Sequence, residues 1–300
     1  MGNRFEFSVV GSDEAIAMQA IEIGIGEVRR IEALLTTFDE QSQTNRINQM
    51  AGIGPVSVDR EVFELIERSL RISILTQGAF DITYGSIDKR LWNFDRGMTS
   101  LPDRDTARQM VHLINFRNVH LDKTTSSVFL AKKGMRIGFG GIGKGYAADR
   151  AKTMMLKAGV QSGIVNAAGD LTVWGRQPDG SDWTVGIADP DRRTFPFASV
   201  RITDASVATS GNYEKFVMID GVKYSHTIDP KTGFPVSGIK SVTIMCPTAE
   251  LADALATPVT VMGVNAGLNM IDQMKGVACI IIDDNDVIHT SRNINLNAIA

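Results

Sequence analysis

Apolar residues return every three or four positions between Glu14 and Leu35. Ile16, Ala20, Ile23 and Val28 recur near helical spacing with charges between them, which predicts a long amphipathic helix. The same spacing puts Leu65, Ile66, Leu70 and Ile74 on one face of a second helix over Glu61 to Leu75. Between the two, Thr36 to Pro55 is polar, holds Gly52 and Gly54, and is expected to be loop. Phe5 to Val10 reads as a strand, and Gly78 to Gly85 as a short extended segment between glycines. Val119–Leu121 and Val128–Leu130 alternate like two strands joined by a turn. Met135 to Phe139 reads as a further strand, a hairpin partner, that runs into a glycine-rich turn and a helix over Lys144 to Ala158.

Strands are then expected at Ser162–Val165, Leu171–Gly175, Trp183–Ala188 and Phe197–Ile202. Asp220-Gly221 marks a hairpin between Phe216–Ile219 and Lys223–Thr227. A strand at Ser241–Met245, a helix over Ala249–Met262 and a last hairpin, Gly276–Ile282 with Asp286–Thr290, complete the order. No repeat, low-complexity tract or linker interrupts it. Strands in antiparallel groups with helices interspersed predict an α+β fold, one compact unit with room for two lobes.

Composition narrows the function. At 43% hydrophobic residues, the 300-residue chain carries enough apolar mass for a sizeable core. A net charge of −3 gives no broad basic field, which argues against nucleic acid as a partner. The two cysteines, Cys246 and Cys279, sit in strand-like segments without zinc or redox spacing and read as buried thiols, with a disulfide the other option. No run of 18 apolar residues stands out, so no membrane span is expected. The opening Met1-Gly2-Asn3 shows neither a signal peptide nor a lipobox cysteine, which leaves a trimmed start and a cytoplasmic protein both open.

Three segments carry candidate chemistry. Gly138-Phe-Gly-Gly-Ile-Gly143-Lys144-Gly145 contains G-x-G-x-x-G and nearly completes the phosphate loop G-x-x-x-x-G-K-[ST]. It stops short of both. Gly145 stands where a magnesium-holding hydroxyl belongs, and the nearest acid past the next strand is Asp170, beyond a loop. What remains is a glycine turn with Lys144 at a helix start, suited to an anionic phosphate or to no ligand at all. In Ala252-Asp253-Ala254-Leu255-Ala256-Thr257-Pro258, Asp253 and Thr257 are one helical turn apart. A carboxylate and a hydroxyl on one face are hard oxygen donors that suit magnesium, and Pro258 frees a backbone carbonyl nearby. Taken alone, the pair fits a helix-start carboxylate and a back-bonded Thr better. Of the four histidines, His226 at a strand end has the most polar neighbourhood, fit for a general base, a phosphate contact or an ordinary surface position. No G-x-S-x-G elbow supports a serine hydrolase.

Together these segments resemble the ApbE family of FAD:protein FMN transferases over nearly the whole chain, residues 1–300. The matching motifs, in order, are Met1-Gly2-Asn3-Arg4-Phe5; Thr37-Phe38-Asp39 with Ser42 and Arg46-Ile47-Asn48; and Gly78-Ala79-Phe80-Asp81-Ile82-Thr83. Gly141 to Asp149, Asn166-Ala167-Ala168-Gly169-Asp170, Thr209 to Tyr213, His226 to Pro230 and Ala252 to Thr257 follow. The resemblance implies a T-fold-like architecture. It implies FAD held by Met1, Phe38, Ala79, Phe80, Asp81, Gly138, Lys144 and Thr227, and Mg2+ held by Gly141, Asp253, Ala256 and Thr257. It implies catalytic parts for His226, Asp253 and Lys144 in moving FMN to a Thr or Ser of an acceptor bearing an Asp-Gly-x-[Ser/Thr]-Gly-Ala-[Ser/Thr] segment, with AMP released. A magnesium-dependent FAD pyrophosphatase and an FAD carrier without transfer are the other expectations, a purely structural module the last. Family members are commonly anchored on the outer face of the inner membrane. The chain departs from the family at Phe38, often Tyr; at Gly138, usually Asp; at Gly141, where many members carry a side-chain donor; and at Ala168, usually Gly.

Overall fold

A computed structural model describes residues 3–11, 13–88, 100–188, 196–211, 216–292 and 294. The chain folds as two compact units, residues 1–31, 142–213 and 239–300 in the first and 32–141 with 214–238 in the second.

The first unit is built on a seven-stranded antiparallel sheet. Its strands are β1 (Phe5–Val10), β5 (Ser162–Ala167), β6 (Asp170–Trp174), β9 (Ser206–Gly211), β12 (Ile239–Cys246), β13 (Ala278–Asp283) and β14 (Ile288–Thr290), neighbours in that order. Alternation along each strand sends residues to opposite faces. Ala208, Val242, Ile244, Cys279 and Ile281 pack under α6 (Ala249–Ile271). Val173, Val207 and Ile280 turn the other way, toward the hairpin of β7 (Trp183–Ala188) and β8 (Pro196–Ile202). Helix α5 (Gly143–Lys157) covers β5 and β6 beside α6. Helix α1 (Glu14–Leu35) lays Gly24 against Phe7 and Met155.

Helix α6 is long and apolar enough to cross a membrane by length and composition alone, and half of its apolar stretch is buried inside the unit. Its regular turns stop at Gly263, at φ 81° and ψ 172°, one residue past the predicted end. Both cysteines are buried free thiols, each pushed by burial up to about 12, so neither is poised as a nucleophile.

The β5–β6 hairpin turns on Ala168 (φ 53°) and Gly169 (φ 99°), both left-handed. Gly169 occupies this conformation freely, whereas Ala168 strains its Cβ by about 1–2 kcal/mol. The extra freedom of an unfolded glycine takes back about half of that. Ala168→Gly is therefore expected to stabilise the protein by about 0.5–1 kcal/mol, read as a raised midpoint in thermal or urea unfolding.

The second unit contains α2 (Gln43–Gln49), α3 (Arg60–Leu75) and α4 (Arg104–Val111). Its sheets are a three-stranded one, in the order β2 (Val56–Ser57), β4 (Ser127–Leu130), β3 (Val119–Asp122), and the hairpin of β10 (Phe216–Ile219) and β11 (Val222–Ser225). Val62, Leu65, Ile66, Ile47, Leu130, Met135 and Ile137 are buried in it.

Three expectations for this unit are corrected. The Thr36–Pro55 stretch contains α2, capped by the Ser42 hydroxyl on the Asn45 N–H at 3.1 Å. Ile82–Ser86 is a 3-10 turn capped by Asp81 rather than an extended segment. Met135–Phe139 is not a ladder strand. Its buried alternation is real, with Met135, Ile137 and Phe139 inside, but a side chain stands where a neighbouring strand would be. The Asn48 amide accepts from the Ile137 N–H at 2.7 Å and donates to the Ile137 carbonyl at 3.1 Å. The elements are helices and antiparallel strands throughout, as the α+β reading required.

Candidate active site

In the first unit, Lys144 lies in the first turn of α5 and Asp253 in the second turn of α6. The Lys144 ammonium donates to Asp253 Oδ1 at 3.0 Å and to Asp170 Oδ2. Asp253 Oδ2 takes the Gly145 N–H at 3.1 Å. Asp170, the first residue of β6, entered the sequence reading as an acid in the wrong place for a dinucleotide site and as the end of a matching motif, with no role assigned to it. Here it is a wall of the cluster. Its signal was the turn before it, because Asn166 Oδ1 accepts from the Gly169 N–H at 2.8 Å and fixes where β6 begins.

Asp170 and Asp253 are 3% and 5% exposed, and one ammonium serves both. Burial disfavours the charged lysine, but Asp253 and then Asp170 outweigh it and raise its pKa. Asp170 shows the surplus of negative charge. Burial, then the neighbouring Asp253, push it up to about 7 against the pull of Lys144 and the Thr209 backbone N–H. With both carboxylates ionised, the two of them and one ammonium lack one positive charge, a deficit that a proton on Asp170 or a bound cation relieves.

The donors for such an ion are hard oxygens. Thr257 is one turn beyond Asp253 on α6, half-buried, and among the described residues its hydroxyl has no hydrogen-bond partner. The back-bonding expected of a helical Thr occurs instead at Thr260, whose Oγ1 donates to the Ala256 carbonyl at 3.0 Å. Pro258 lacks the N–H that would meet the Ala254 carbonyl. No group of three or more His, Cys, Asp or Glu side chains gathers as a metal cluster among the described residues. The residues present therefore fit a magnesium-type ion on mixed oxygen donors, with Asp253 and Thr257 at its core, and not zinc.

Two further residues set this geometry. Asp149, on α5, accepts from the Ala249 and Glu250 N–H groups at 3.0 and 2.8 Å and so caps the helix that carries Asp253. Burial raises the pKa of its carboxyl despite those bonds. Gly145 lets α5 and α6 meet, since a Cβ there would lie 2.0 Å from the Ala249 carbonyl oxygen. The absent Ser or Thr of a phosphate loop is thus a packing requirement, and the Gly145 N–H is committed to a carboxylate rather than a phosphate.

The second unit holds most of the expected FAD residues. Ala79 and Phe80 are buried and Gly141 lies against the Phe80 ring. Asp81 Oδ1 accepts from the Thr83 N–H and hydroxyl at 2.8 and 2.6 Å, and Oδ2 from the Phe116 N–H at 2.9 Å. Burial raises its pKa all the same. Its carboxylate is spent on shaping the Ala79–Thr83 turn. Gly138 donates its N–H to the Ile82 carbonyl at 3.0 Å and leaves open space where a side chain would stand. Thr227 is buried, with its carbonyl on the Val236 N–H at 2.9 Å, and His226 beside it is exposed just past β11. Phe38 is 92% exposed. Met1 lies outside the described residues. Of the predicted site residues, then, the structure gathers Lys144, Asp253, Ala256 and Thr257 in the first unit. It places Phe38, Ala79, Phe80, Asp81, Gly138, Gly141, His226 and Thr227 in the second.

The profile of the ApbE family matches residues 1–281. An FAD:protein FMN transferase of Klebsiella pneumoniae is 32% identical over 97% of this chain and 90% of its own. One from Treponema pallidum is 34% identical over 84% of this chain and 73% of its own. The crystal structure of the ApbE protein from Thermotoga maritima superposes with a TM-score of 0.84 at 31% identity, covering 97% of this chain and 94% of that one. The apo flavinyl transferase ApbE of Pseudomonas stutzeri gives 0.84 at 26% identity over 97% and 92%. By sequence and by fold, the chain belongs to the ApbE family.

Proposed function

We propose that this chain, as one catalytic domain over residues 1–300, transfers FMN from FAD to a Thr or Ser hydroxyl of an acceptor protein, uses Mg2+ and releases AMP. The observation that carries this reading is the buried Asp170–Lys144–Asp253 cluster with the unbonded Thr257 hydroxyl one turn from Asp253. It provides a cation for phosphate oxygens and a deficit of positive charge beside hard oxygen donors. The names of the relatives supply the flavin.

In the reaction, the acceptor oxygen bonds to the FMN phosphorus, the P–O bond to AMP breaks, and the acceptor proton is taken up by a base. His226, exposed beside the buried Thr227, is that base. Lys144 binds and neutralises phosphate oxygens as the AMP oxygen departs. Asp170 and Asp253 hold its ammonium in place. Asp253, Thr257 and the Ala256 backbone, all in the first unit, are the proposed magnesium donors. Bound there, the ion would shield the pyrophosphate and stabilise charge growing on its oxygens. Ala79, Phe80, Gly138, Thr227 and Met1 are assigned to FAD, Asp81 through the turn that its carboxylate shapes, and Phe38 to stacking on the flavin ring.

The test is the intact mass of an acceptor domain carrying an Asp-Gly-x-[Ser/Thr]-Gly-Ala-[Ser/Thr] segment, after incubation with the protein, FAD and Mg2+. A gain of FMN less water, lost on chelation, supports transfer. FMN and AMP in solution with an unmodified acceptor would make the protein an FAD pyrophosphatase, and intact bound FAD a carrier. In the same assay His226→Gln should slow transfer by about 100-fold or more while FAD binding holds, the usual range for losing a general base. Unchanged turnover would remove His226 from the mechanism.

A further inference from the structure

We propose that Asn45 is the positioning residue that presents the Phe38 ring to the flavin. The inference rests on the stacking reading of Phe38 given above. A phenylalanine 92% exposed is held by nothing through its own side chain, so its direction depends on its backbone. That backbone is clamped from below. Asn45 Nδ2 donates to the Thr37 carbonyl at 2.9 Å and to the Asp39 carbonyl at 2.7 Å, the residues on either side of Phe38. The amide orientation is set by a third contact, since Arg136 Nη2 donates to Asn45 Oδ1 at 3.3 Å. Only one amide orientation satisfies all three, because the two carbonyls need the NH2 end and the guanidinium needs the oxygen.

Asn45 is itself fixed. It is 6% exposed on α2, its N–H is capped by Ser42, and Ser42 Oγ donates to the Thr36 carbonyl at 2.6 Å. One turn on, Asn48 grips the backbone of Ile137, the residue next to Gly138. Two buried asparagines of one short polar helix thus hold the Phe38 loop and the Gly138 segment, with Arg136 tying the second to the first. A buried amide that spends both of its N–H donors on the backbone flanking an exposed aromatic preorganises that ring, so that binding does not have to order it.

The experiment measures FAD dissociation constants of the whole chain, by difference absorbance of the flavin band, for wild type, Phe38→Ala, Asn45→Ala and the double variant. Thermal melts are recorded on each. Phe38→Ala should weaken FAD about tenfold, the size of one lost aromatic stack. Asn45→Ala should weaken it about fivefold and blunt the stacking shift of the flavin band. The double variant should be no worse than about tenfold, because Asn45 acts only through Phe38. Asn45→Asp keeps the Arg136 contact, so it retains the fold should Asn45→Ala lose it, but sets a carboxylate against two carbonyl oxygens. It should match the alanine loss. A double variant near the product of the single effects, or Asn45 variants that bind FAD as wild type does, overturns the proposal while leaving stacking intact. A Phe38→Ala protein with unaltered affinity overturns both.

Discussion

Asp253→Ala is expected to abolish Mg2+-dependent FMN transfer, with a loss of about 10³-fold or more read from the acceptor's intact mass over time. The change removes the carboxylate best placed to hold the ion, and it also removes the surplus charge that favours one. Lys144 is left with Asp170 alone, a neutral pair, so the variant should stay folded. The cost to stability is the lost acceptor of the Gly145 N–H, about 1–3 kcal/mol. A second readout separates metal loss from general damage. If Mg2+ binds only the folded state, it raises wild-type stability by about 2.7 kcal/mol at 100 times its dissociation constant. That rise should vanish in Asp253→Ala, and in Asp253→Asn, which can keep the Gly145 bond. Turnover and Mg2+ stabilisation at wild-type levels in these variants would remove Asp253 from the metal site.

Asp253 was legible in the sequence because a carboxylate and a hydroxyl one turn apart are visible once a helix is assigned, and the helix was plain from its apolar run. What could not be read was which Thr back-bonds. Thr257 and Thr260 are alike in sequence, and only packing puts the Thr260 hydroxyl on the Ala256 carbonyl and leaves that of Thr257 unbonded. Asp170 and Asp149 were hidden for a related reason. Their partners, Lys144 and the start of α6, are 26 and 100 residues away in the chain, where local spacing says nothing.

Two of the missed elements share one cause. α2 is almost wholly polar, with Thr44, Asn45 and Asn48 buried, so its burial is carried by amides that periodicity does not score. β9, central between β6 and β12, begins at the buried Ser206 and holds Thr209 and Ser210, which pair with their neighbours through hydroxyls and backbone. Met135–Phe139 misled in the opposite sense. Its alternation reports a buried extended chain faithfully, but whether a strand or an Asn side chain meets its backbone depends on a residue 89 positions away.

Gly145→Ser, the single change that would complete the phosphate-loop consensus, should ruin the protein. An added Cβ meets the Ala249 carbonyl oxygen at 2.0 Å, its carbon at 2.4 Å and the Glu250 nitrogen at 2.8 Å. All three are backbone, so no rotamer change relieves the contact, and the start of α6 must move. Moving it breaks the two bonds from Asp149 and shifts Asp253 away from Lys144. Overpacking of this kind costs about 3 kcal/mol or more, which in a unit of this size lowers Tm by about 6–12 °C. Transfer should fall by about 100-fold or more, the cost of a displacement of about 1 Å at a catalytic group. The control is Gly140→Ser in the same loop, where a Cβ meets nothing within 4 Å and stability should hold. A Gly145→Ser protein that melts with wild type would mean that the approach of α5 to α6 is looser than its geometry. A gain in phosphate affinity would revive the nucleotide-loop reading, but a helix start whose N–H already serves Asp253 Oδ2 has little left to offer a phosphate.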